Sequence, residues 1–267
     1  MAGLGDTGSV DLAGGVLRDG DTVRASGRVV AADGVTWFEP PLPVPLVAYA
    51  PGREPPPRPA GLGVPAIGVD LARLDRRREK QGAVEGWATL TGTWRQDRLR
   101  VAGQGPPTRP VDEGPYLRRP PCPEPAGGWP EGGVDENLDI PADLLAASDV
   151  TSVALFRPGR RQTVLVVAAE QPQQVEAALR PRYGPRLCVV PSRWTGRQID
   201  DVLRRLRAGM ASWMIYSCGQ STAEDGQAVL TAELTRVLPA LASWVRAVPD
   251  GLLSIRPWLT PQPRPGR

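Results

Sequence analysis

Residues 187–210 read Leu-Cys-Val-Val-Pro-Ser-Arg-Trp-Thr-Gly-Arg-Gln-Ile-Asp-Asp-Val-Leu-Arg-Arg-Leu-Arg-Ala-Gly-Met. The first four residues are apolar and rich in Val, which suits a short buried strand. Thr195 and Gln198 stand three apart, the spacing of a capping box, in which each side chain serves the other residue's backbone N–H. Ile199, Val202, Leu203, Leu206 and Met210 then recur at helical spacing and form one apolar stripe. Asp200 and Asp201 fall near the helix start, where carboxylates suit the helix dipole. Arg204, Arg205 and Arg207 fall on the wet side.

Working toward the C-terminus, residues 213–217 and 229–237 read as strands, 239–248 as a helix and 252–256 as a last strand. From Leu187 onward the order is therefore βαββαβ, the ferredoxin-like succession. Working back, residues 153–156 and 164–168 read as strands joined by a turn at Arg157-Pro158-Gly159. Residues 171–183 read as a helix with Val175, Ala178 and Leu179 on one face. These elements would extend the same sheet.

The N-terminal half has a different rhythm. Residues 22–31 alternate as a strand, Asp33-Gly34 is a strong two-residue hairpin signal, and residues 35–39 return. Residues 64–69 are a short apolar strand, and 71–79 offer one or two helical turns. Residues 83–94 alternate again, Gln96-Asp97 turns the chain, and Leu99 and Val101 close a last strand. Three strands, a short helix and two more strands give the order of an OB-like barrel. Ten prolines within residues 40–65 exclude a central strand or helix there and predict an extended surface loop. Ten more within 106–150 mark a linker or an arm lying over a domain surface, with a short helix expected at 141–147.

The layout expected is thus a disordered start (1–15), an all-β OB-like barrel (16–105) and an acidic proline-rich arm (106–150). An α+β ferredoxin-like sandwich (151–260) and a tail (261–267) follow. Net charge moves from +1 over residues 1–105 to −6 over 106–150 and +8 over 151–267. Such asymmetry suits contact with an anionic partner, or packing of the arm on its own basic neighbour. Lys80 is the single lysine, so nearly all of the 32 basic residues are Arg. Together with abundant Ala, Gly and Pro, this reflects GC-rich codons rather than selection for phosphate.

Chemistry is bounded by what is missing. With no histidine in 267 residues, His-based triads and the usual His metal sites are excluded. Cys122, Cys188 and Cys218 are odd in number and far apart, which does not read as a disulfide framework and favours a reducing compartment. Cys188 and Cys218 sit in apolar runs as small core residues, and Cys122 between prolines is expected to be exposed. Lys80 is followed by Gln81-Gly82, so no Walker A loop exists. Gly3, Gly5 and Gly8 match G-x-G-x-x-G without the strand and helix that motif requires. Tyr216-Ser217-Cys218-Gly219 ends a strand where a nucleophile could sit, but no histidine base is present to activate it. Glu224 and Asp225 read as a solvated turn. No catalytic, cofactor-binding or metal-ligating residue is assigned. The residues that remain as a binding surface are Trp37, for stacking, and Arg76, Arg77 and Arg78, for an anionic backbone.

Arg182-Tyr183-Gly184, Leu187-Cys188-Val189-Val190, Ser192-Arg193-Trp194-Thr195 and Pro257-Trp258-Leu259-Thr260-Pro261 resemble segments of an uncharacterised protein family of high-GC Gram-positive bacteria. The likeness covers the last 100 residues or so, and it implies no activity or site residue. The C-terminal layout is also similar to ferredoxin-like pro-domains of some secreted proteases, a likeness of fold alone.

No basic-apolar leader is visible at the start and no apolar run is long enough to span a bilayer. The expectation is a cytoplasmic protein with a protein partner, without cofactor or membrane, acting as a non-catalytic interaction or accessory protein. Two alternatives stand beside it. One is a single-stranded nucleic-acid binder working through the OB-like barrel. The other is a carboxylate- or thiol-dependent enzyme.

Overall fold

Three two-residue turns organise the N-terminal half, each with both residues at positive φ: Asp33-Gly34, Gln81-Gly82 and Gln96-Asp97. This backbone matches the right-handed twist of paired strands, so each turn closes a tight hairpin. The computed structural model describes residue 12 and residues 15–42, 54–108, 117–132 and 149–263. Within these, strands dominate over helices and fall into three sheets.

The first sheet contains β1 (Thr22–Ala32), β2 (Val35–Glu39), β3 (Val64–Ile67), β4 (Asp75–Lys80), β5 (Ala83–Arg95) and β6 (Arg98–Gly105). β1 pairs with both β2 and β5, β2 with β3, β3 in parallel with β6, and β6 with β5. Five strands therefore close a ring, and β4 flanks β5 outside it. Closure removes the free edges that an open sheet would expose. Alternate residues point inward: Val23, Ala25 and Val29 of β1, Phe38 of β2, and Ala88, Leu90 and Trp94 of β5 are all buried in one cluster. Thr91 and Gly92 mark an irregularity against β6. A Cβ on Gly92 would lie 2.1 Å from the Arg100 carbonyl oxygen, so only glycine fits there.

Residues 71–79 depart from the helical expectation. Only Leu71–Arg73 form a 3-10 turn, and the Asp70 side chain accepts from the Ala72 N–H. Arg76-Arg77-Arg78 lie in β4, with Arg76 at positive φ where the register against β5 shifts between Asp75 and Arg78. Gln81-Gly82 is a hairpin turn of the same kind as Asp33-Gly34, and pairing with β5 overrides the helical tendency of the charged run.

The C-terminal half carries two copies of one arrangement. β7 (Val150–Phe156) and β8 (Val164–Ala169) form a hairpin, helix α1 (Pro172–Tyr183) crosses, and β9 (Leu187–Pro191) returns parallel to β8. After helix α2 (Gly196–Gly209), β10 (Ile215–Thr222) and β11 (Ala228–Arg236) form a second hairpin. Helix α3 (Pro239–Val245) crosses and β12 (Leu253–Leu259) returns parallel to β11. The βαββαβ succession expected from Leu187 onward is present along the chain, but the pairing is framed differently. β9 joins β8 in one sheet, and β10, β11 and β12 make another. The repeating unit is ββαβ, beginning one hairpin earlier. Side chains stitch β7 to β10: Gln220 Nε2 donates to the Thr151 carbonyl at 2.8 Å, and the Ser152 and Thr222 hydroxyls lie 2.7 Å apart.

The capping box forms as expected, with Thr195 and Gln198 each serving the other's backbone. Ile199, Val202, Leu203, Leu206 and Met210 all pack into the cluster over β10–β12. Asp201 lies beyond the first turn and instead pairs with Arg204 at 2.9 Å. α1 covers one face of β8, where Val175 and Leu179 meet Leu165, Val167 and Ala169.

The two halves share a core. Leu259 at the end of β12 is fully buried in the barrel cluster, and Trp258 packs beside it. The Trp258 ring lies 4.6 Å from that of Phe38, and its indole N–H donates to the Ser26 carbonyl at 2.9 Å. A Cβ on Gly27 would come within 2.6 Å of Trp258, so glycine there makes room for the indole. Residues 261–262, at the start of the expected tail, are held: Pro261 bridges Val23, and the Gln262 N–H donates to the Thr22 carbonyl. Leu12, inside the start expected to be disordered, packs against the cluster over β10–β12. The expected helix at 141–147 and the Gly3, Gly5 and Gly8 motif lie outside the described residues.

One cysteine reading is corrected. Cys122 and Cys188 form a disulfide, with Cα atoms 5.7 Å apart. Spacing along the chain hid the pair, because the arm folds back across 66 residues to reach β9. The cysteine argument for a reducing compartment loses its premise. Cys218 remains free and half-buried against the second cluster.

Candidate interaction surface

On the ring of strands, residues that do not point inward form rows around the outside. Cross-strand register sets Arg78 opposite Glu85, Glu85 opposite Val30, Val30 opposite Trp37, and Trp37 opposite Pro65. This row runs across β4, β5, β1, β2 and β3. The neighbouring row contains Asp75, Trp87, Arg28 and Glu39. The structure thus brings Trp37 and Arg78 to one face, three strands apart, or about 14 Å at the usual strand spacing.

That face is electrostatically satisfied. Arg28 reaches Glu39 at 3.0 Å with Nη1 and Glu85 with Nε, also at 3.0 Å. Arg78 Nε donates to Glu85 at 2.6 Å. Burial raises the Glu85 pKa, but Arg28 and Arg78 together outweigh it and hold the carboxyl below its ordinary value. Glu39, only 1% exposed, also accepts the Ala60 N–H at 2.5 Å. Arg77 pairs with Glu79, and Arg76 lies 3.8 Å from Asp75. Arg76, Arg77 and Arg78 each have a carboxylate at hand, so none presents an unopposed charge to a phosphate.

The segment 54–60 crosses this side of the barrel. Lys80 Nζ donates to the Glu54 carbonyl, Arg28 to the Arg58 carbonyl, and Glu39 receives the Ala60 N–H. Pro57, within this segment, is buried. Four prolines in 54–60 restrict φ and keep the segment extended.

At the β2–β3 end the row turns apolar. Val35 and Ile67 are 41% and 45% exposed, the exposed large hydrophobic residues among those described. Trp37 and Pro65 are half-buried between them. Continuing the β2–β3 register by two residues sets Val35 opposite Ile67, so these four residues form one patch on two adjacent strands. Sequence reading picked out Trp37 but missed Val35, Pro65 and Ile67. Odd-numbered positions in β2, opposite in parity to Phe38, were the available signal.

Elsewhere the chemistry is sparse. Among the described residues no group of three or more His, Cys, Asp or Glu is placed to hold a metal. A hollow of about 350 Å³ lies between residues 72–75 and 104–106, with Asp75 as its one carboxylate. Tyr216 is pushed up to about 12 by burial and by Glu233, so its hydroxyl stays protonated. Glu224 stands in the turn before β11, where Asp225 pairs with Arg193 at 2.9 Å. No helix among the described residues is long and apolar enough to cross a membrane.

No protein-family model, curated protein or solved structure matches the chain.

Proposed function

We propose that the protein is a non-catalytic interaction protein whose OB-like barrel docks a protein partner on the outer face of β2 and β3. The OB-like reading draws on the closed five-strand ring with β3 parallel to β6 and a short turn of helix before the next hairpin. The observation that carries the docking reading is the clustering of Val35, Trp37, Pro65 and Ile67, with two of them openly exposed. Contiguous exposed apolar residues rimmed by charge are typical of contact surfaces. The ion pairs of Arg28, Glu39, Glu85 and Arg78 supply the polar rim. Cytoplasmic placement is kept within this proposal, and it makes the Cys122–Cys188 bond transient rather than permanent.

Nucleic-acid binding is the second reading, favoured by Trp37 and Arg78 sharing one row. It is opposed by the carboxylate beside each arginine.

A photo-crosslinking residue placed at Val35 tests the proposal in native lysate, with the same residue at Arg197 as control. The expected result is a discrete protein adduct at position 35 that disappears in Ile67→Glu and is absent at position 197. No adduct above the control overturns the proposal. An RNA or DNA adduct, with single-strand binding by fluorescence anisotropy at low salt, moves the assignment to the second reading.

A further inference from the structure

Residues 117–132 of the proline-rich arm form a strap across the face of β7–β8–β9 that α1 leaves uncovered. Trp129, 7% exposed, is buried with Phe156, Val164, Val166 and Cys188, each at most 1% exposed. Leu117, Cys122, Ala154 and Val190 close the margins. The two ends are tied by backbone. The Arg157 N–H donates to the Leu117 carbonyl at 2.7 Å, and the Gly132 N–H donates to the Arg161 carbonyl at 2.8 Å. Between those ties stand Pro120, Pro121, Pro123, Pro125 and Pro130. Proline has no N–H to donate, so the strap cannot add itself to the sheet as a paired strand. What holds its middle is the Cys122–Cys188 bond and the Trp129 side chain, to which Gln162 adds one hydrogen bond at 2.8 Å on the Trp129 carbonyl.

The two sulfurs are not equivalent. Cys188 on β9 is 1% exposed, whereas Cys122 at the margin of the cluster is only partly buried. Thiol–disulfide exchange requires a thiolate to reach a sulfur along the S–S axis, so access decides which one is attacked. We propose that Cys122–Cys188 is a thiol–disulfide exchange site for a dithiol reductant, and that its reduction unlatches the strap from the sheet.

One thiolate of the reductant attacks Cys122 Sγ. The Cys122–Cys188 bond breaks, and its electron pair leaves on Cys188 Sγ, which takes up a proton. The second thiolate of the reductant then attacks its own sulfur in the mixed disulfide and releases Cys122, which is protonated in turn. Two electrons and two protons pass to the protein, and the dithiol becomes a disulfide. With its central tie gone, only Trp129 and the end contacts hold the strap, so these open more often and expose the face formed by Phe156, Val164 and Val166. This inference stands on the strap and not on the barrel surface, so either can fail alone.

The test uses the full chain, with dithiothreitol as the probe. Alkylation and mass analysis without denaturant count accessible thiols before and after reduction, and amide hydrogen exchange follows the strap. Before reduction, Cys122 and Cys188 are expected to resist alkylation; after it, Cys122 reacts. Exchange at Trp129, Gly132 and Arg157 should then rise about tenfold while residues 164–169 stay protected. Cys122→Ser should show the faster exchange without reductant and no further response to it. Three outcomes overturn the proposal: free thiols at both positions in the oxidised protein, reduction only on unfolding, or reduction that leaves strap exchange unchanged. If Cys122→Ser fails to fold, the reduced wild-type chain still gives the reading.

Discussion

Glu85 stands between two guanidinium groups on the outside of the barrel, and its side chain is 18% exposed. Arg28 and Arg78 hold its pKa below the ordinary value in the folded chain despite the opposing effect of burial. A carboxyl depressed on folding contributes stability that is fully present above its unfolded pKa, about 4.3, and is lost as pH falls through the folded value. Urea melts of the wild type should therefore weaken as pH drops from about 5 toward 3, the window that opens at the ordinary glutamate pKa and runs below it. Glu85→Gln is expected to be less stable at pH 7, by on the order of 2 kcal/mol, and to show a flatter profile across that window. An unchanged slope would mean other carboxylates govern the acid limb. Trp37 was legible at this scale, as an aromatic in a barrel strand. The neutralisation of Arg76, Arg77 and Arg78 was not, because each carboxylate partner is set by the local backbone of β4 or by cross-strand register.

Among the elements, α2 is the one whose start, stripe and cap could all be read locally. Thr195→Ala removes the hydroxyl that accepts the Gln198 N–H at 3.2 Å, and should cost about 1 kcal/mol in thermal or chemical melts. Thr195→Ser should restore most of it. β4 shows the opposite case. Its run of Asp, Arg, Glu and Lys tolerates a helix, and what makes it a strand is the Gln81-Gly82 turn and the long partner β5. Hairpins with Asn-Gly or Asp-Gly announce themselves, whereas Gln-Gly does so weakly. The same limit applies to β9. An apolar run of four residues declares a buried strand, but nothing within it chooses β8 over β12.

For the whole molecule, β12 is the joint. It pairs with β11, then sends Trp258 and Leu259 into the barrel core, while Arg236 reaches Asp97 at 2.8 Å and lies over the Trp94 ring. Trp258→Ala removes the Phe38 contact and the bond to Ser26, and is expected to cost about 3 kcal/mol. In calorimetry the wild type should unfold in one transition, and the variant should broaden or split it. A single transition at an unchanged midpoint would show that the joint carries little of the stability.

The sequence by itself determined the five strands of the ring though not β4, the amphipathic helix with its cap, two of the three tight turns, and the lack of any histidine-based chemistry. Each of these is written in a few neighbouring residues through periodicity, side-chain hydrogen bonding or permitted φ. Only the tertiary structure decided which strands pair, that the arm returns to bond Cys122 to Cys188, and which apolar residues remain outside. Those outcomes depend on faces being buried against elements many residues away, and one chain segment cannot record what its other face will meet.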